Sequence, residues 1–448
     1  QPSALLRAPT PREIAAHLRE TGAPTPPPIP PAPRQRFFAL SPQQRRYLRC
    51  FLAGGNRSWC NMVALIDLPD GVDAYAVQHA LGEIALRHNS LRLRFSHDAR
   101  GVVQQSLEPG IDFALPTLDL GEEREVAVQL HALRVAEGER EIAVFGDEPL
   151  FRATLLQLPH GRRKLLWNVH HLVSDGRSQG LLAAALHARL TVGRDDDAPP
   201  PSIRDIAAWA QQRPGLAQAR AHVERLFALP YRHRYLPAAQ VCADAQRCHA
   251  FEAALPGTLR SALRQAAQRL TCTPYALFVA AHFKLLAALG DSDDLVVVTP
   301  LAGRHHPQLA STIGNFINLV PLRVRGLQQR AAPDLVAAVK RQITEAAEHQ
   351  ALQFDEVLDQ LGVMPDADRN PLTGYSLNYM PQGSASTAAP AGHADRGYKL
   401  KYDLLFLIRD FSDAVHVEIQ YRAGLMAPQE VEQLFAGYVR ELTVLSHA

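Results

Sequence analysis

The stretch Asn168-Val169-His170-His171-Leu172-Val173-Ser174-Asp175-Gly176-Arg177-Ser178 places two histidines, a carboxylate and a glycine within a few residues. An imidazole titrates close to neutrality, so a histidine here suits proton transfer to or from a nucleophile. The run before it, Lys164-Leu165-Leu166-Trp167-Asn168-Val169, reads as a buried strand. The run after it, Ser178 through Leu190, reads as an apolar helix. The pair therefore falls where a strand ends and a helix is about to begin, a place where side chains project into a cleft. A second pair, His305-His306, stands among polar residues and reads as loop. A lone histidine is more often structural than catalytic, so the rest of the chain has to decide.

The elements that would position these residues repeat one grammar in both halves. In the first, Gly71 to His88 has the spacing of an amphipathic helix, with Val77, Leu81 and Ile84 on one face. Arg92 to Phe95, Glu141 to Phe145 and Arg152 to Leu158 are strand candidates, and Ile203 to Gln211 is a helix. In the second, helices over Thr273–Leu289, Pro333–His349 and Gln429–Leu445 alternate with strands. The strands are Asp294–Thr299, Phe316–Val324, Tyr402–Leu407 and Val415–Tyr421. Arg304 to Ser311 reads as a polar loop, and Gln382 to Gly397, rich in Ser, Ala, Gly and Pro, as an exposed excursion. The class is α/β or α+β with two similar lobes.

Length and composition narrow the function. The 448 residues suit two domains of about 200 each, and 47% apolar content allows two sizeable cores. A net charge of +2 with no basic stripe speaks against a nucleic-acid partner. The five cysteines form no CxxC pair and read as reduced thiols, with neither a disulfide frame nor a metal site. No secretory signal opens the sequence, and its most apolar stretch, Tyr275 to Leu289, is too short to span a bilayer. A cytoplasmic protein without a membrane partner is expected.

At the start, Pro9 to Leu18 reads as a short helix with Thr10 as N-cap and Pro11 at its first position. Pro24 to Pro33 is so rich in proline that a semi-rigid polyproline II spacer is expected. The expected organisation is a remnant of an upstream domain over 1–22, a linker over 23–36, and lobes over 37–210 and 211–448.

Several separated segments then share one likeness. Leu40-Ser41-Pro42-Gln43-Gln44-Arg45-Arg46-Tyr47-Leu48, the RHxxLRxxF-like Arg87 to Phe95 and the HHxxxDGxS run from His170 to Ser178 occur in order. Asp205 to Trp209, the IGxFxNxxxxR-like Ile313 to Arg323, His349-Gln350 with Phe354-Asp355, and Asp368 to Leu372 follow. In these the chain resembles the condensation domains of nonribosomal peptide synthetases, within the chloramphenicol acetyltransferase-like superfamily. The resemblance implies two acetyltransferase-like lobes in a V-shaped pseudo-dimer with an active-site tunnel between them. It also implies a latch near residues 375–400 and a floor loop around Pro300 to Ile313.

The activity implied is acyl transfer from a carrier-protein thioester to the amine of a carrier-bound acceptor, forming an amide. No cofactor binds the domain itself; the substrates ride on the 4'-phosphopantetheine arms of carriers. The partners implied are an upstream acyl or peptidyl carrier domain as donor and a downstream carrier or small-molecule acceptor, with the excised domain monomeric. Direct transfer with no acyl-enzyme is implied, because the thioester is already activated. The catalytic set carried over is His171, with His170 supporting the loop and Gly176 offering close approach and an N–H to the oxyanion. Asp175 is implied to be structural, paired with an arginine, for which Arg92 and Arg323 are the candidates. Arg177, Ser178 and Asn318 are candidates for the substrate tunnel, and Arg177 departs from the aromatic residue many relatives carry. Pro9 to Leu18 resembles the end of a carrier domain of polyketide type, which implies a hybrid assembly line. Ester formation on a hydroxyl acceptor, epimerisation, and a catalytically silent recruitment module are the rival readings.

Overall fold

In the computed structural model, residues 26–53, 57–121, 126–193, 199–232, 236, 247–290, 292–364, 369–381 and 392–448 are described. The expected upstream remnant over 1–22 and the residues 382–391 of the excursion lie outside them. The fold is mixed α/β in two compact units. One comprises Pro26–Arg213 with Ala302–Ile317, the other Pro214–Leu301 with Asn318–Ala448 among its residues. The break after Arg213 stands close to the boundary expected at 210/211. The return of Ala302–Ile317 to the first unit was not expected from the sequence.

The first unit contains strands β1 (Phe37–Phe38), β2 (Asn61–Asp67), β3 (Leu93–His97), β4 (Val103–Leu107), β5 (Thr117–Asp119), β6 (Phe151–Gln157) and β7 (Arg163–His170). Its helices are α1 (Pro42–Ala53), α2 (Ala74–Arg87), α3 (Val126–Glu139), α4 (Gly176–Thr191) and α5 (Ile203–Ala210). The main sheet has the order β2-β7-β6-β5, and a small one the order β1-β4-β3. β7 is central and packed on both faces, which explains its unbroken burial from Leu165 to His170. Leu166 joins Leu156 and Val126 under α3, whereas Leu165, Trp167 and Val169 join the core with Leu81 of α2 and Leu182 of α4.

Two expectations fail here. Glu141 to Phe145 is not a strand; Phe145 makes a single bridge to Phe95. The helix before it, α3, carries apolar residues on nearly every side and so shows no clean amphipathic period. The proline-rich stretch is not a free spacer where it is described. Ile29 is buried and its N–H donates to Gln308 Oε1 at 2.7 Å, while Ala32 N–H donates to Asp205 Oδ1 at 2.9 Å. An apolar side chain among prolines supplies the contact that a solvated polyproline helix lacks.

The second unit has strands β8 (Arg247–Ala254), β9 (Asp294–Leu301), β10 (Asn318–Arg325), β11 (Tyr375–Pro381), β12 (Gly392–Lys399), β13 (Leu404–Asp410) and β14 (Val415–Arg422). They form one sheet, β10-β9-β11-β13-β14-β8-β12. Its helices are α6 (Leu216–Leu226), α7 (Gly257–Arg269), α8 (Pro274–Gly290), α9 (Ala332–Glu348), α10 (Phe354–Leu361) and α11 (Pro428–Ser446). α8 is the apolar stretch noted in the sequence and is a core helix, buried from Ala276 through Phe283. Its Lys284 is accommodated because the ammonium donates to the carbonyls of Leu327 and Arg330. Among the described residues no single helix is long and apolar enough to cross a membrane. Of the expected latch, the last part forms the edge strand β12, which pairs antiparallel with β8.

Candidate active site

β7 delivers the histidine pair. His170 N–H donates to Leu150 O and His171 N–H to Cys60 O, both at 2.8 Å, so the backbone of the pair is fixed from two sides. The chain turns, with Val173 N–H on His170 O at 3.0 Å, and Asp175 then caps α4. Asp175 has extended backbone, and its Oδ1 accepts the Ser178 N–H at 2.8 Å, which satisfies one of the orphan donors of the first helical turn.

The two imidazoles are wired differently. His170 is 1% exposed; its Nδ1 accepts Leu172 N–H at 3.0 Å and its ring meets Phe51 edge-on at 5.3 Å. Burial and the neighbouring His171 hold its pKa down to about 3. That ring is neutral and packed against Phe51 at neutral pH. His171 Nδ1 lies 2.9 Å from Ser174 O. A carbonyl only accepts, so Nδ1 carries the proton of the neutral ring and Nε2 keeps its lone pair. Nε2 is met by the Tyr47 hydroxyl at 3.1 Å, with the two rings 4.4 Å apart. Burial lowers the His171 pKa to about 4; Arg46 lowers it too, against the opposing pull of Asp175 and the Ser174 carbonyl. Asn315 Nδ2 donates to His171 O at 2.7 Å and completes the support.

Asp175 pairs with Arg304, not with Arg92 or Arg323. Arg304 Nη2 reaches Asp175 Oδ1 at 2.9 Å and Oδ2 at 3.1 Å, and the two side chains are 7% and 1% exposed. Phe316 N–H adds a bond to Asp175 Oδ2 at 3.1 Å. Arg304 also donates to Thr312 O at 2.6 Å and lies over the Phe316 ring at 4.5 Å. Arg92 instead closes the end of α2, donating to Ala85 O at 3.0 Å and to Leu86 O at 3.4 Å. Arg323 forms a forked pair with Asp294 at 2.9 and 2.6 Å within the second unit.

The tunnel candidates divide. Ser178 is fully buried: its hydroxyl donates to Gly314 O at 2.9 Å and accepts from Gly314 N at 3.0 Å and Arg304 at 2.8 Å. Every capacity of that hydroxyl is used in fastening Ala302–Ile317, so it is a clamp and not a substrate contact. Asn318 Nδ2 donates to Gln350 O at 3.1 Å and Leu352 O at 2.8 Å in the second unit, while its buried Oδ1 has no partner among the described residues. Gly176 and Arg177 are exposed at the start of α4, and a Cβ added at Gly176 meets nothing within 4 Å. Arg177 has no ion-pair partner among the described residues.

Sequence reasoning missed Arg304, Tyr47, Arg46 and Asn315 as site residues. Arg46 and Tyr47 were visible only as letters of the opening signature. Arg304 sat in a segment read as polar loop, and its one signal was an arginine beside the second histidine pair. That loop is built: Gly303 has φ +63°, and a Cβ there would stand 1.9 Å from Phe316 O, so only glycine fits. His306, buried, accepts Gln308 N–H through Nδ1 at 3.2 Å and faces Pro27 O through Nε2 at 3.0 Å.

These features meet a known family. The condensation domain model matches residues 34–446, and the chain belongs to that family. It is 26% identical to surfactin synthase subunit 1 of Bacillus subtilis (strain 168) over 92% of its length and 12% of that protein's. It is 27% identical to tyrocidine synthase 3 of Brevibacillus parabrevis over 96% of its length and 7% of that protein's. The chain thus spans about a tenth of the curated relatives it matches. In fold it is similar to the condensation domain from Monacolin K polyketide synthase MokA, with a TM-score of 0.78, 17% identity and coverage of 92% and 98%. The X-domain from teicoplanin biosynthesis, in complex with OxyB, gives 0.76 at 22% identity, covering 95% and 97%.

Proposed function

We propose that this chain joins an acyl thioester, presented by a carrier domain on a phosphopantetheine arm, to the amine of an acceptor. The observation that carries this is the bond between His171 Nδ1 and Ser174 O. It fixes the tautomer in which Nε2 is basic, and that atom is the one a substrate can approach once the Tyr47 hydroxyl yields. The acceptor nitrogen attacks the thioester carbon, and a C–N bond forms as the carbonyl π pair moves to oxygen. Nε2 takes the amine proton. The C–S bond then breaks, the carbonyl re-forms, and the proton passes to the departing thiolate. The exposed Gly176 N–H, at the start of a helix where amides lack intrahelical partners, is the candidate donor to the oxyanion. A base held neutral down to about pH 4 is a weak one. Much of the acceleration is therefore assigned to holding two tethered reactants in line.

Arg177 is assigned to an acidic group on the acceptor, which an exposed guanidinium can hold bidentately. Unchanged acceptor selectivity in Arg177→Trp would remove that assignment. The donor is assigned as a polyketide-type acyl chain on the strength of residues 9–18; a clear preference for aminoacyl over β-hydroxyacyl carriers counts against it. The central test is mass spectrometry of loaded donor carrier, candidate acceptors and this chain, with His171→Ala alongside. An amide formed only with intact His171 supports the reading. An ester, an inverted α-carbon or no product in both points to the rivals.

A further inference from the structure

The second unit contains a cavity of about 380 Å³ that the reading above does not use. β10, α6 and α9 contribute to its lining. Five arginines face it, Arg225, Arg323, Arg325, Arg330 and Arg341, against one acid, Glu345. The chain as a whole carries 47 basic and 45 acidic side chains, so this excess is local.

The five are not equivalent. Arg323 is engaged with Asp294 and with the carbonyls of Leu226, Leu229 and Pro230, and belongs to the framework. Arg330 rests on the Arg325 carbonyl through Nε at 3.3 Å and Nη2 at 2.8 Å. The side chains of Arg225, Arg325 and Arg341 make no hydrogen bond or ion pair among the described residues. Arg341 stands one turn before Glu345, a spacing at which helices pair opposite charges. The two are nevertheless unpaired, and Glu345 takes the Gln342 amide at 3.5 Å instead. Beside them His222 and His349 stack at 4.9 Å. Burial, then His349 and Arg225, hold the His222 pKa down to about 4, so its ring is a flat neutral wall at neutral pH.

Guanidinium groups gathered around one concavity repel one another, and the concave wall focuses their field. On a convex surface each would simply be solvated. Here the volume suits a small molecule and not a polymer. The group that relieves the repulsion must offer several anionic oxygens at once, and the guanidinium fork matches phosphate in that way. We infer that this cavity is a binding site for a small oligophosphate, a ligand with two or more linked phosphate groups. The site lies within one unit, shares no residue with the His171 assembly and does not rest on the catalytic reading.

Calorimetric titration of the intact chain with inorganic tripolyphosphate tests this, with orthophosphate and citrate as comparisons. One saturable site per chain is expected, at least tenfold tighter for tripolyphosphate than for either comparison anion. Arg225→Ala and Arg341→Ala, both at exposed side chains, should each weaken it at least tenfold, while Arg100→Ala, exposed in the other unit, leaves it unchanged. Melting curves of the three variants should match the parent, so that loss of binding reports on the site. Titration without saturation, citrate binding as tightly as tripolyphosphate, or equal weakening in all three variants overturns the assignment.

Discussion

His170-His171 closes a central strand, whereas His305-His306 sits in a segment that returns to the first unit from the second half of the chain. The same dipeptide does different work because different ring nitrogens are engaged. In His170 and His306, Nδ1 accepts a backbone N–H, which leaves Nε2 protonated. In His171, Nδ1 donates to a carbonyl, which leaves Nε2 basic. His305 is exposed and lies 5.6 Å from the Trp209 ring. A carbonyl in place of an amide, two or three residues along, separates the candidate base His171 from the framework rings of His170 and His306.

That contrast can be broken experimentally. The largest effect is expected where both regions depend on one residue: Asp175→Ala orphans the buried Arg304 and should cost about 3–5 kcal/mol. Denaturant unfolding should show it, and normal solubility and melting with lost turnover would place Asp175 in the chemistry instead. His171→Ala should lower kcat by roughly 10²–10⁴-fold, with a melting curve close to the parent's. His306→Ala should do the reverse, costing about 1–3 kcal/mol by leaving buried partners unmet while single-turnover rates stay within about twofold. If both variants lose activity equally at equal stability, the distinction by ring nitrogen fails.

The pH dependence sharpens it further. His170, His171 and His282 titrate near 3, 4 and 3 in the folded chain, against 6.5 when free. Between those values the unfolded chain binds protons that the folded one refuses, so ν is larger in the unfolded state. The stabilisation is complete above pH 6.5 and is lost as pH falls through the folded values. Unfolding free energies at pH 7, 5.5 and 4.5 should therefore decline steadily. The acid limb of kcat/KM should lie well below 6.5, near the His171 value; a limb at 6.5 means an exposed base. The smallest effect belongs to Tyr47→Phe. Its hydroxyl favours the neutral ring of His171, so its loss should move that limb upward with little change in stability.

Much of this was legible in the sequence because it is local. The β7 run, the helix beginning after Asp175 and the apolar α8 are each set by contiguous residue patterns. The family signatures supplied the order of the rest. The illegible part is non-local. Asp175 meets Arg304 across 129 positions, and Arg92 and Arg323 stood in stronger motifs than the true partner. Ser178 looked available because a hydroxyl's partners cannot be read from its neighbours in sequence. The strand expected over Glu141 to Phe145 failed because β propensity without a paired edge leaves only the bridge to Phe95.

The return of Ala302–Ile317 to the first unit has a consequence for recombination. A crossover placed at residue 213, where the first unit's main segment ends, would inherit Asp175 from one parent and Arg304, Gly314 and Phe316 from another. Chimaeras cut there should fold only when both parents share the same clamp. A graft that carries the sixteen-residue segment along with the first unit removes that incompatibility. For this chain the heritable module is discontinuous in the gene.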